Sequence, residues 1–295
     1  TVPVAALVAL FVLVSLSCLR AQGTFQVTSM TNSSPIASGS VDVTSGDDRG
    51  GIAVTNTWIY RVQDNFTARL VPTTLALDNG TLTRRDGIFS DLATGQLWTL
   101  WNGSSDPVSG TNTAPFSLTA IRQMDVDLNI LGTQINLSTP ISLNSGSMIF
   151  AGRGFFVVWN SATNLFSAVD IATGTVTNLG TIAISGTFMG SENWLSWGIA
   201  EFFSGDYHVL YHGTGGNVNR IMRRNATTGI ETIHTSFTSL SDCASITVSP
   251  WDNRWYGFAE GGTEFSAATE HLFSGSASIS IAPAPTISGF VPTNA

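Results

Sequence analysis

The chain has 295 residues, 43% of them hydrophobic and only 11% charged, and its 12 basic residues, all arginine, stand against 20 acidic ones for a net charge of −8. So few charges with so many apolar residues exclude a disordered chain, and the long charged faces of helical bundles are missing. An acidic, lysine-free composition also argues against nucleic acid or an anionic membrane surface as partner.

Residues Thr1 to Leu19 carry no charge and end at Arg20. An apolar stretch of this length closed by Leu19-Arg20-Ala21 reads as a signal peptide over residues 1–21. A retained membrane anchor is the alternative, although about 20 apolar residues are needed to span a bilayer and Pro3 interrupts the start. The only cysteines are Cys18 and Cys243, so cleavage leaves one thiol and a disulfide framework is excluded. Six Asn-x-Ser/Thr sequons, at Asn32, Asn65, Asn79, Asn102, Asn136 and Asn225, are candidate glycosylation positions in a secreted chain.

From Gln22 onward the dominant pattern is alternation with period two, the mark of half-buried strands. Ile52 to Val62 reads as one strand, Asp125 to Ile130 as another and Ser276 to Ile281 as a third. Turn signals such as Asp78-Asn79-Gly80, Thr94-Gly95, Thr173-Gly174 and Thr228-Gly229 stand between them. Many short strands joined by hairpins predict an all-β sandwich, barrel or propeller.

An internal repeat chooses among these. Asp91-Leu92-Ala93-Thr94-Gly95 matches Asp170-Ile171-Ala172-Thr173-Gly174 and Asn225-Ala226-Thr227-Thr228-Gly229, with a degenerate copy expected around Asn136 to Ile141. The glycines at 95, 174 and 229 lie 79 and 55 residues apart. With the degenerate copy dividing the larger gap, the spacing brackets the roughly 40–50 residues of a four-stranded blade. Each copy is expected at the hairpin between a blade's two outer strands, and residues 22–282 then hold five or six blades.

The repeated hairpin resembles those of secreted bacterial β-propeller ectodomains of unassigned activity. Ser45 to Val54, read as a loop leading into the first inner strand, and Asn253 to Gly262, read as the last inner strand, extend that resemblance. Pro283-Ala284-Pro285-Thr286-Ile287-Ser288-Gly289-Phe290-Val291-Pro292-Thr293 is similar to a linker and the opening strand of an immunoglobulin-like IPT/TIG domain, which would occupy residues 283–295. The resemblance implies a fold, an extracellular or cell-surface location and further domains in the same polypeptide, but no catalytic residues.

No nucleophile elbow, phosphate loop, dinucleotide turn or zinc signature is present. His208 and His212 are four apart, but four residues of a strand span roughly 13 Å, too far for both to reach one zinc. Asp47 with Asp48, in a Gly/Ser loop, and Asp125 with Asp127, on one face of a strand, are the candidate calcium ligands; no other cofactor is expected. Asp78-Asn79-Gly80-Thr81 is similar to the core of a sialidase Asp-box, which predicts a hairpin there and no sialidase activity. Of eight tryptophans, Trp101, Trp194 and Trp251 lie beside Asn or Pro turn residues and are the candidate ligand-binding platforms, since an indole face suits sugar stacking.

Three function classes follow. The first is a non-catalytic extracellular binding or adhesion module for carbohydrate or protein. The second is a carbohydrate-active hydrolase or lyase, which needs carboxylates at a defined separation. The third is a structural subunit of a surface layer or filament that associates through low-charge edges.

Overall fold

The computed structural model describes residues 23–31, 51–62, 66–104, 116–144, 146–181, 195–213, 219–237, 242–260 and 271–282. Strands are their only regular elements, and they group into five four-stranded antiparallel blades; those of blades 1 and 2 are separate sheets, while blades 3, 4 and 5 are hydrogen-bonded into one twelve-stranded sheet through a parallel pairing of the first strands of blades 3 and 4 and a bridge between blades 4 and 5. Blade 1 comprises β2 (Ile52–Val54), β3 (Ile59–Val62), β4 (Phe66–Leu70) and β5 (Leu77–Thr83), and blade 2 comprises β6 (Ile88–Ser90), β7 (Leu97–Trp101), β8 (Phe116–Met124) and β9 (Ile130–Leu143). Blade 3 holds β10 (Met148–Ala151), β11 (Phe155–Asn160), β12 (Leu165–Asp170) and β13 (Val176–Thr181). Blade 4 holds β14 (Leu195–Phe203), β15 (Asp206–Gly213), β16 (Asn219–Asn225) and β17 (Glu231–Phe237). Blade 5 is composite: β18 (Asp242–Ser249), β19 (Arg254–Glu260) and β20 (His271–Ala282) are completed by β1 (Thr24–Met30) from the other end of the chain.

The first strand of each blade touches the first strand of the next, in the cycle β2, β6, β10, β14, β18 and back to β2. This closed cycle makes the fold a β-propeller, and the described residues set the blade number at five.

Position in the ring dictates residue type. Inner strands pack on a neighbouring blade through both faces, so Ile52-Ala53-Val54, Ile88-Phe89-Ser90 and Met148-Ile149-Phe150-Ala151 are buried throughout and read as continuous runs. Outer strands face water, and β9 intersperses Thr, Gln, Asn and Ser among its Ile and Leu residues with most positions exposed. Aromatic contacts knit neighbouring blades. Phe89 meets Phe156 at 4.5 Å between blades 2 and 3, and Phe155 meets Tyr207 at 5.1 Å between blades 3 and 4.

Several strand assignments change. Ile52 to Val62 is a hairpin, because Thr55 Oγ1 accepts from the amides of Thr57 and Trp58 and turns the chain between β2 and β3. Asp125 to Asn129 is the turn between β8 and β9: Asp125 Oδ1 accepts from the amides of Asp127 and Asn129 at 2.9 Å each. Asp78-Asn79-Gly80 is no hairpin; it lies inside β5, where the register against β4 shifts. Arg254 to Glu260 is the second strand of blade 5 and not its inner strand, whereas Ser276 to Ile281 is the strand expected.

The repeat is a turn, but not always an outer one. In each of the three copies the Asp or Asn side chain caps amide or hydroxyl donors two or three residues on, and the glycine amide donates to the same residue's carbonyl. The copies at Asp170 and Asn225 join the two outer strands of blades 3 and 4, while the copy at Asp91 joins the two inner strands of blade 2. Asn136 to Ile141 is not a copy; it lies within β9, at the place where the register against β8 shifts. A further copy is Asn160-Ser161-Ala162-Thr163-Asn164, whose Asn160 Oδ1 accepts from Ala162 and Thr163 and whose Asn164 takes the positive φ of 56° that glycine takes elsewhere.

Gly174 shows how tightly these turns are seated. Its φ is +69°, and a Cβ there would lie 2.0 Å from the carbonyl oxygen of Asn136 on blade 2. Gly205 has a φ of +86° with open space around it. Gly174→Ala should therefore cost about 3 kcal/mol of folding stability and Gly205→Ala only about 1 kcal/mol, as read from urea unfolding midpoints.

Candidate functional site

Because strands alternate in direction, the first-to-second turns of all five blades and the third-to-fourth turns of blades 1 to 4 lie at one end of the ring. This end is built of short connections: 55–58, 71–76, 91–96, 125–129, 152–154, 171–175, 204–205, 226–230 and 250–253. The chain also enters and leaves the ring here, since Thr24 pairs with Ala282.

Trp251 sits on this tight-turn end, between β18 and β19, and is the exposed tryptophan among the described residues, at 36%. Its indole edge lies against the turn of blade 2 at Gly95. The position a Cβ would take on Gly95 is 3.4 Å from Trp251 Cζ2 and 3.1 Å from the amide nitrogen of Asn56. Gly95 thus serves twice, giving the turn its φ of +75° and leaving room for the indole edge and the Asn56 backbone. The exposed residues of these turns, Asn56, Thr57, Thr94 and Gln96, carry neutral amides and hydroxyls. Asp252, beside Trp251, is fixed in place: Oδ2 accepts from the Tyr256 hydroxyl at 2.6 Å and Oδ1 from the Arg254 amide at 3.2 Å. Burial, reinforced by the Asp252 carboxylate, pushes the Tyr256 phenol well above its ordinary range, so it remains a donor.

The other platform candidates do not join it. Trp101 ends β7 at the opposite end of the ring, half-buried, with the Arg122 guanidinium 4.6 Å over its ring. Trp194 lies outside the described residues. Trp98, Trp159, Trp197 and Trp255 are core.

The acidic candidates separate as well. Asp47 and Asp48 fall outside the described residues. Asp125 and Asp127 occupy a turn and not one face of a strand, and both are engaged. Asp127 accepts from Arg69 Nη1 at 2.6 Å, and Asp125 accepts from the Asn129 side chain. Burial opposes ionisation of Asp125, but hydrogen bonds from Asn129 and Asp127 hold its carboxyl below the usual range. Arg69 also pairs with Asp78 at 2.7 Å, donates to the Val126 carbonyl and lies 4.9 Å over Trp58, so it binds blade 1 to blade 2. Among the described residues no group of three His, Cys, Asp or Glu side chains is placed to hold a metal.

His208 and His212 lie on β15, as the strand reading required. Of the sequons, Asn136 is exposed on β9, whereas Asn225 Oδ1 is occupied in capping its turn. Asn79 lies within β5, and Asn102 Oδ1 accepts from Ser104. Asn32 and Asn65 are outside the described residues.

Sequence reasoning missed a buried ionic cluster. Glu201, fully buried on β14, accepts from Arg223 Nε at 3.0 Å and from the Val27 amide of β1. Burial pushes its carboxyl up to about 7 against the opposing pull of Arg223. Val27 lies 174 residues from Glu201, so no local pattern could have revealed the contact.

No family model and no curated protein matches the chain. Among solved structures it is similar to the catalytic domain of a GH62 α-L-arabinofuranosidase from Coprinopsis cinerea, at 9% identity over 85% of this chain and 97% of that one, with a TM-score of 0.45. It is also similar to the PQQ-bound aldose sugar dehydrogenase of Streptomyces coelicolor, at 10% identity over 88% and 99% of the chains, with a TM-score of 0.40. Against hydrazine synthase of Kuenenia stuttgartiensis the identity is 9% and the TM-score 0.32, and the chain spans 58% of that protein. At these values no activity carries over to this chain.

Tyr256→Phe deletes the bond that fixes Asp252 beside the indole. It should lower folding stability by about 1 kcal/mol and alter the near-ultraviolet circular dichroism of the tryptophans while the far-ultraviolet spectrum stays unchanged.

Proposed function

We propose that this chain is a non-catalytic binding module that acts outside the cell and takes carbohydrate on the tight-turn end, with Trp251 as the stacking platform. The observation that carries this reading is the placement of Trp251: a partly exposed indole with its edge against Gly95, and neutral hydroxyl and amide side chains on the turns at Asn56, Thr57, Thr94 and Gln96. An aromatic face covers the apolar face of a pyranose, and amides and hydroxyls match its equatorial hydroxyl groups. The apolar segment before Arg20 supports an extracellular setting.

A hydrolase would place two carboxylates across one bond. The two fully buried carboxylates among the described residues are each matched to a guanidinium instead, Asp86 to Arg84 and Glu201 to Arg223. Protein ligands and self-association are the competing outcomes, to be separated by experiment.

A glycan array with the wild-type protein, repeated with calcium and with chelator and followed by analysis of the recovered glycans, tests this reading. Trp251→Ala should lose roughly tenfold or more in affinity, the equivalent of about 1.5 kcal/mol of stacking, while Trp101→Ala binds as wild type. Release of oligosaccharide products, or equal binding by Trp251→Ala, would overturn it.

A further inference from the structure

The chain holds two Asn-Gly sequences, Asn79-Gly80 and Asn102-Gly103, and the fold treats them differently. In such a dipeptide the side-chain amide is open to attack by the next backbone nitrogen, because glycine has no Cβ to shield that nitrogen. Asn79 sits inside β5, opposite Arg69 of β4, and Gly80 does not take a positive φ. Ladder pairing keeps this backbone extended, and a strand sends its side chains out from the main chain instead of along it.

Asn102 follows β7 and has left the ladder, at the end of the ring opposite the tight turns. Its Oδ1 accepts from the Ser104 amide at 2.9 Å and from the Ser104 hydroxyl at 3.0 Å, while Gly103 takes a φ of +92°. A side-chain carbonyl bonded to the amide two residues on is folded over the intervening peptide, which brings the Asn102 Cγ over the Gly103 nitrogen. Both donors converge on the atom where negative charge would collect during attack, and this is how an oxyanion hole lowers a barrier. Gly103 and Ser104 are exposed, so water and base reach the turn. Asn160 and Asn225 cap turns in a similar manner, but Ser161 and Ala226 follow them, and a Cβ there shields the amide. Among the described residues only Asn102 combines a capped turn with a following glycine.

We propose that Asn102 is a site of intrachain deamidation, which converts it to aspartate and isoaspartate. The Gly103 nitrogen gives its proton to solvent base and bonds to Asn102 Cγ, leaving an oxyanion on Oδ1. Collapse of that oxyanion breaks the Cγ–Nδ2 bond, and Nδ2 departs as ammonia after taking a proton from solvent. The succinimide ring that remains takes up one water. Aspartate results when the bond from the Gly103 nitrogen to Cγ breaks, and isoaspartate when its bond to the Asn102 main-chain carbonyl carbon breaks. Nothing is oxidised or reduced; one water enters and one ammonia leaves. Either product adds a negative charge to a chain of net charge −8, and isoaspartate also inserts a methylene into the backbone between β7 and β8.

Peptide mapping of the folded protein after incubation at mildly alkaline pH reads the site directly, and isoaspartyl methyltransferase with labelled S-adenosylmethionine counts the rearranged product. The protein is prepared without glycan, since Asn102-Gly103-Ser104 is also a sequon. In the folded chain Asn102 should convert about tenfold or more faster than Asn79. In urea above the unfolding midpoint the two should convert at similar rates, because only the fold distinguishes them. Ser104→Ala removes the hydroxyl donor and should slow Asn102 about fivefold in the folded protein, with no effect in urea. Conversion at Asn102 no faster than at Asn79 in the folded protein, or a folded Ser104→Ala rate equal to wild type, would overturn the proposal.

Discussion

Everything in this molecule depends on one long-range pairing, that of β1 with β20. Without it blade 5 has three strands, and the apolar face of blade 4 carrying Ile199, Leu210 and Ile221 loses Phe25 and Val27 as its cover. Closing so long a chain costs less than its length suggests, since loop entropy grows only logarithmically with residue number. Once closed, the ring gives every inner strand a neighbour on both faces, and so the short, fully apolar inner strands remain stable although each contributes only three or four ladder positions in blades 1 to 3.

Fold class was legible from the chain because outer strands and hairpin turns keep local signatures. The Asp/Asn-x-x-Thr-Gly repeat was correctly seen as a turn, since its capping side chain and left-handed glycine are both local needs. It was misread as a marker of one place in each blade. The same five-residue turn serves the inner hairpin at Asp91, the outer hairpins at Asp170 and Asn225 and, with Asn164 replacing glycine, the middle hairpin of blade 3. Ile52 to Val62 was misread for a related reason. Alternation continues smoothly through Thr55 to Trp58 because a turn closed by a threonine hydroxyl needs no glycine. Turn chemistry is local, whereas blade position belongs to the whole ring.

The functional residues divide along the same line. Trp251 could be picked out because Pro250, Asp252 and Asn253 advertise a turn, and exposure of a turn residue is a local property. Trp101 carried a similar flag, yet Arg122 lies over its ring from the neighbouring strand. The Asp125 and Asp127 pair failed as a shared face because Asp125 is consumed in its own turn and Asp127 is claimed by Arg69 of another blade. Glu201, Arg223 and Val27 could not be linked from sequence at all. Buried charges become intelligible only when the partner that compensates them is known.

The pairing of Thr24 with Ala282 means that the ring's two chain ends leave side by side from one end of the molecule. Traction applied through those ends would meet the β1 and β20 ladder at its last rung and break its bonds one after another, instead of loading them all in shear. Against a mechanical pull the ring would thus open like a zipper from the point of attachment.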